Sequence, residues 1–162
     1  MLVRLRNMAS VYIKQGPKYL LLYRIGSQVV SPSWCGIGGH FEKDELNEPE
    51  TAILRELEEE TGLTEQNLEN IALRYVTFRL KNGEIRQNYY YFADLCENTQ
   101  INMECSEGEL RWISADALPF GEMPHTAEYV MRHYTEIGAH NDILYAGTAT
   151  VDGVAFCELA EF

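Results

Sequence analysis

Arg55-Glu56-Leu57-Glu58-Glu59-Glu60-Thr61-Gly62-Leu63 places four carboxylates in five consecutive positions. Asn47 or Glu48 as a cap, Pro49 in the first turn and Gly62 as a stop predict a helix over this stretch. At about 100° per residue, Glu56, Glu59 and Glu60 share one helical face, while Ile53, Leu54 and Leu57 form a neighbouring apolar face. Two unit charges about 4 Å apart repel by roughly 4 kcal/mol at an effective dielectric near 20, so this face needs water or a cation. Magnesium takes oxygen ligands, keeps several waters and commonly bridges carboxylates to substrate phosphates. A solvated acidic surface is the plainer reading of a glutamate run. Two neighbouring features point away from it: Gly38-Gly39 can bring a backbone carbonyl close to a metal, and Arg55 can orient a ligating carboxylate through a bidentate pair.

Outward from the helix, the chain alternates strands and helices. Met8 to Ile13 and Tyr19 to Tyr23 read as strands joined at Gly16-Pro17. A Ser/Pro/Gly-rich loop over 26–33 leads into Trp34-Cys35-Gly36-Ile37-Gly38-Gly39-His40, whose glycines permit a close or unusual backbone path. Ile71 to Leu80 and Ile85 to Leu95 are β-rich runs joined by Lys81-Asn82-Gly83-Glu84, a strong hairpin signal. A polar loop (97–108), a strand (Leu110 to Ile113), an amphipathic helix (Thr126 to Ile137) and a hairpin turning at Asp152-Gly153 complete the chain. This order predicts an α/β fold in one domain spanning 1–162, with a mixed sheet packed by at least two helices.

At 162 residues with 46% hydrophobic content, one domain can bury a real core. The 25 acids outnumber the 13 Lys and Arg, for a formal charge of −12, which argues against a nucleic-acid partner, since phosphate backbones are held by clustered cations. A phosphorylated small molecule bound through metal ions stays open. Nine acids against Lys43 and Arg55 lie between Glu42 and Glu60, so the excess is local. Four cysteines without a CxxC pair suit a reducing compartment, and the absence of a run of about 18 apolar residues argues against a membrane span. A soluble cytoplasmic protein, monomer or homodimer, is expected.

The residues above resemble the signature of the Nudix hydrolases. Gly39 is followed by five residues and Glu45, and Arg55 to Leu63 fits the second half at every position. Nine residues separate Glu45 from Arg55 where the family usually has seven, an excess that falls before the helix and leaves the register of Glu56, Glu59 and Glu60 untouched. The resemblance implies the Nudix fold, an α/β/α sandwich around a mixed sheet. It implies magnesium-dependent attack of water on a phosphorus of a nucleoside diphosphate derivative, with manganese able to substitute. By the same resemblance Glu56, Glu59 and Glu60 are metal ligands, joined by the backbone of Gly38, Arg55 supports these catalytic glutamates, and either the Glu59/Glu60 pair or a glutamate outside the box acts as base.

Trp34-Cys35-Gly36-Ile37-Gly38-Gly39 is similar to the Trp-Asn-Gly-Phe-Gly-Gly of the MutT group, the oxidised-purine nucleoside triphosphatases, and Glu107-Gly108-Glu109-Leu110 is similar to their later acidic loop. This places Glu109 among the metal ligands and candidate bases, and Cys35 at a base-reading position beside the substrate. By their own positions, Arg24 at the end of the second strand and His40 after the glycines are candidates to meet a substrate phosphate, and Trp34 to stack a base. Cys35 stands where those relatives have Asn, and Met123-Pro124-His125-Thr126 replaces a base-reading Trp-Pro-Asp-Asp run, so the chemistry carries over more firmly than the base preference. A nucleoside triphosphate pyrophosphohydrolase of the 8-oxo-dGTP diphosphatase type is the first expectation. An ADP-ribose or sugar-nucleotide pyrophosphatase and a non-catalytic nucleotide sensor are the alternatives; the sensor is disfavoured because Arg55, Glu56, Glu59 and Glu60 are all present.

Overall fold

The computed structural model describes residues 2–25 and 31–162. Its centre is β1 (Arg4–Gln15), antiparallel to β2 (Lys18–Arg24) across the Gly16-Pro17 turn and parallel to β6 (Glu84–Leu95). On the far side of β6 lies β5 (Leu68–Lys81), then β9 (Leu144–Thr150) and β10 (Gly153–Leu159). On the other flank β2 pairs with β8 (Gly108–Ser114), which pairs with β7 (Glu104–Cys105). Two short strands, β3 (Ser33–Cys35) and β4 (Ile37–His40), pair with β2 and β1. The ten strands form one mixed sheet, with parallel pairing at β1/β6 and β5/β9.

Successive strand residues point to opposite faces, and both faces here are covered. Val11, Ile13, Leu20, Leu22, Tyr91 and Ala93 pack with Ile53 and Leu57 of α1 (Pro49–Thr61). The intervening Tyr12, Leu21, Tyr90 and Phe92 pack with Val130 and Met131 of α2 (His125–Glu136). The layers are therefore helix, sheet, helix, as expected of an α/β/α sandwich. Helix α1 opens with Pro49 and closes on Gly62, whose positive φ of 73° lets its N–H reach the Glu58 carbonyl.

The glycine segment differs from a loop. Residues 37–40 form a strand in register with β1, Ala9 opposite Gly39 and Ser10 opposite Gly38. A Cβ on Gly38 would lie 1.9 Å from the Ala9 carbonyl oxygen, so glycine is what lets the two backbones meet. Strand β1 begins at Arg4, earlier than its apolar run, because Arg4 to Asn7 pair with the equally polar Glu84 to Gln87. The polar loop over 97–108 contains β7, and most of the loop read over 26–33 lies outside the described residues. Among the described residues no helix is long and apolar enough to cross a membrane.

Gly38→Ala is expected to cost about 3 kcal/mol or more in urea unfolding, since it forces a backbone clash at a strand pair. Gly16→Ala, which meets nothing within 4 Å but holds a φ of 57°, is expected to cost only about 1 kcal/mol.

Candidate active site

The helix α1 stands with its acidic face toward the end of β4, and two arginines tie that face to the sheet. Arg55 uses all five of its N–H donors. Nε and Nη2 bind the two oxygens of Glu45 at 2.6 and 3.0 Å, Nη1 binds Glu56 at 3.0 Å and Glu59 at 3.1 Å, and Nη2 also reaches the His40 carbonyl at 3.0 Å. Glu45, only 5% exposed, sits at the end of a single turn over Lys43–Glu45 and also accepts from the Glu42 backbone N–H. Its carboxyl is held below its ordinary range by Arg55. The longer spacing between Glu45 and Arg55 is thus absorbed before α1, and the bidentate pair forms.

Arg24, at the end of β2, is the second tie. Its Nη2 donates to the Gly38 carbonyl at 3.1 Å and to Glu60 Oε1 at 3.0 Å, and its Nη1 to Glu107 at 3.0 Å. Glu60 is 9% exposed, and its other oxygen, Oε2, is buried without a hydrogen-bond partner. Burial raises the Glu60 carboxyl to about 7, against the opposing pull of Arg24 and with a further push from Glu56 and Glu107. Burial also raises Glu56, with Arg55 opposing. A Cβ on Gly39 would fall 2.6 Å from the Glu56 carboxylate, so glycine there leaves the room that this carboxylate occupies.

These observations test whether a divalent cation fits. A buried carboxylate oxygen with no partner, a neighbouring carboxylate seated in a glycine's space, and the Gly38 carbonyl beside them form a hard-oxygen donor set suited to magnesium. Among the described residues no three His, Cys, Asp or Glu side chains already converge as a cage. Glu56, Glu59 and Glu60 are instead held by guanidinium groups.

The other sequence-derived candidates separate. Glu109 lies on β8 opposite Tyr23 and pairs with Arg111 at 2.7 Å. Strand parity sends Leu110 into the α1-side core and Glu109 to the other face, away from the glutamates of α1. Glu107, just before β8, is the member of that acidic loop that joins the Arg24 cluster. Trp34 is 9% exposed, packed against Tyr23 with ring centroids 4.9 Å apart, and has the Arg111 guanidinium over its ring. Cys35 donates to the Leu22 carbonyl, and burial raises its thiol pKa. His40 is exposed, and its pKa is lowered by partial burial and by nearby Arg6.

Arg24, Cys35, Gly38 and His40 line a cleft of about 700 Å³ that continues along the α2 side of β1 and β6. That volume lies within the range of small-molecule sites. Trp34 and Glu109 do not line it. Glu45, the signature glutamate, completes the cluster by its pair with Arg55, and Glu107, to which sequence reading gave no role, joins it by its bond to Arg24.

The NUDIX domain profile matches residues 4–134. The chain therefore belongs to the Nudix family, as a pyrophosphohydrolase. No curated protein matches it in sequence. Among solved structures it is similar to the mutator MutT protein of Bacillus halodurans, with a TM-score of 0.66 at 18% identity over 94% of this chain and 97% of that one. It is also similar to a MutT Nudix hydrolase of Burkholderia pseudomallei, with a TM-score of 0.61 at 24% identity over 80% and 97% of the two chains. A Caenorhabditis elegans Ap4A hydrolase gives 0.62 at 18% identity over 86% and 100%. At these identities the likeness is one of fold.

A pH dependence follows for the metal-free protein. Because the folded-state pKa of Glu60 lies near 7, above its ordinary 4.5, the folded state binds the extra proton between those values. Its favourable contribution is full below about pH 4.5 and is lost as pH rises through 7. With metal chelated, wild type is expected to lose about 2 kcal/mol relative to Glu60→Gln between pH 5 and 7.5, read from denaturant melts.

Proposed function

We propose that the chain is a magnesium-dependent hydrolase of a pyrophosphate linkage in a nucleoside triphosphate or a related nucleoside diphosphate derivative, working in the cytoplasm. The observation that carries this is the buried, partnerless Oε2 of Glu60 beside Glu56 and the Gly38 carbonyl. Glu56, Glu60 and the Gly38 carbonyl would hold magnesium, or manganese in its place. When bound, the metal lowers the pKa of coordinated water and neutralises charge developing on the phosphates.

The chain's own groups supply the rest. In the reaction, a water oxygen bonds to phosphorus as that phosphorus parts from its bridging oxygen, and the leaving phosphate departs with the bridging oxygen. The water's proton passes to Glu59, which is the glutamate of the acidic face most open to solvent, with 58% of its side chain exposed. Arg55 holds Glu59 and Glu56 together, so base and ligand keep one geometry. Arg24 occupies two of the metal's ligands, Gly38 and Glu60. Once it releases them, its guanidinium is left at the cleft mouth, where it can pair with a phosphate bidentately. Glu107 then retains Arg24 on that side.

The MutT-type structural neighbours support the triphosphate reading within this class, and the Ap4A hydrolase supports the wider one. The base-reading positions do not favour oxidised purines: Cys35 is turned to the Leu22 carbonyl and Trp34 is packed in the core.

Glu59→Gln and Glu60→Gln are each expected to reduce magnesium-dependent phosphate release by on the order of 100-fold or more across a panel of nucleoside triphosphates, ADP-ribose and dinucleoside polyphosphates. Glu107→Gln is expected to fall about tenfold and Glu109→Gln to stay within about twofold, as judged from loss of a single charged hydrogen bond. Unchanged turnover in Glu60→Gln would remove the assignment.

A further inference from the structure

The same cleft that ends at Arg24 and Gly38 carries a second charged feature at its other end. Arg6 of β1 pairs in register with Arg86 of β6, and Arg86 pairs in register with Arg79 of β5. Residues paired in register point to the same face, so three arginines lie side by side over adjacent strands, across about 10 Å. Lys81, two residues beyond Arg79, shares that face, and all four line the cleft. With Arg24, five of the chain's 13 Lys and Arg surround a cavity whose lining includes one acid, Glu107.

Like charges directly opposite each other destabilise a sheet. Glu84 relieves part of this one, meeting Arg86 at 2.9 Å and Arg6 at 3.7 Å. Among the described residues neither Arg79 nor Lys81 has a carboxylate within 4 Å. Asn88, next along the same face of β6, keeps a buried Oδ1 with no partner in the same cleft, a ready acceptor for a ligand donor. The row stands out further in a chain of net charge −12.

Its distance from the carboxylates decides what it takes. Gly38 is level with Ser10 on β1, four residues beyond Arg6, or about 13 Å along the strand. A diphosphate is much shorter than that. Resting on the pyrophosphohydrolase reading, we infer that the arginine row is a subsite for a second, distal phosphate of the substrate. The preferred substrate is then a nucleoside diphosphate derivative that carries a further phosphate on its ribose or far group, and Asn88 and Ser10 face the part between.

The test has a binding arm and a turnover arm. With metal chelated and at low salt, tripolyphosphate is titrated calorimetrically into wild type, Arg79→Gln/Arg86→Gln and Arg79→Lys/Arg86→Lys, each checked for folding by circular dichroism. One saturable site is expected, weakened at least about tenfold in the glutamine variant and largely recovered in the lysine variant. In the second arm, kcat/KM is compared for ADP-ribose with its 2′-phosphate and for dephospho-coenzyme A with coenzyme A. The phosphorylated member of at least one pair is expected to be favoured by about 10- to 100-fold, a preference that collapses in the glutamine variant. No tripolyphosphate binding, or hydrolysis without preference in either pair, overturns the row's assignment. Faster hydrolysis of a 5′-triphosphorylated oligoribonucleotide than of every small nucleotide also overturns it. No hydrolysis of any probe, with tripolyphosphate still bound, overturns instead the reading of the carboxylates and with it the substrate.

Discussion

The guanidinium of Arg55 is the constraint on which the site depends. Its five donors bind Glu45, Glu56, Glu59 and the carbonyl of His40, and so join the turn over Lys43–Glu45, strand β4 and helix α1 at a single group. A planar fork with fixed donor directions imposes angles as well as distances, which an ammonium would not. Glutamates that would repel one another are thereby held close, and the buried Glu45 is the counter-charge that keeps the arginine in place. The fold makes this possible by the glycines of β4, which let that strand lie close to β1 and leave room for Glu56.

Arg24 works differently. It is a protein cation lying among oxygen atoms that a metal would use, and it stabilises the acidic cluster in their present arrangement. Buried carboxylates without compensation would be costly. Arg24 offsets part of that cost, and the partnerless Oε2 of Glu60 shows where compensation stops. On the function proposed above, a divalent cation would exchange for this arginine, which would remain at the mouth of the cleft lined by Arg24, Gly38 and Glu107.

Much of the arrangement was legible in the sequence because it is local. The spacing of Glu56, Glu59 and Glu60, the apolar Ile53 and Leu57, and the Gly62 stop all obey helical periodicity, and α1 forms as they predict. The strands with alternating apolar residues and the Asn82-Gly83 turn, with φ of 54° and 72°, were likewise readable. The loop glutamate was not: Glu107 and Glu109 differ by two residues around Gly108, and only the pairing of β8 with β2 shows which meets Arg24. Trp34 looked available for stacking because sequence gives no sign of which face of β3 is covered by α2. The arginine row is half legible in the sequence. A two-residue turn at Asn82-Gly83 already sets Arg79 opposite Arg86, but the third member, Arg6, arrives only through the parallel pairing of β1 with β6.

In the proposed function, the arginine-bound oxygens of Glu56, Glu60 and Gly38 are a divalent-metal site. The most direct measurement is the anomalous difference density of crystals soaked in manganese. A peak bonded to Glu56, Glu60 and the Gly38 carbonyl is expected, with the Arg24 guanidinium moved off Glu60 toward the cleft. Arg24 still bound to Glu60 and no manganese at these oxygens at saturating metal would contradict it.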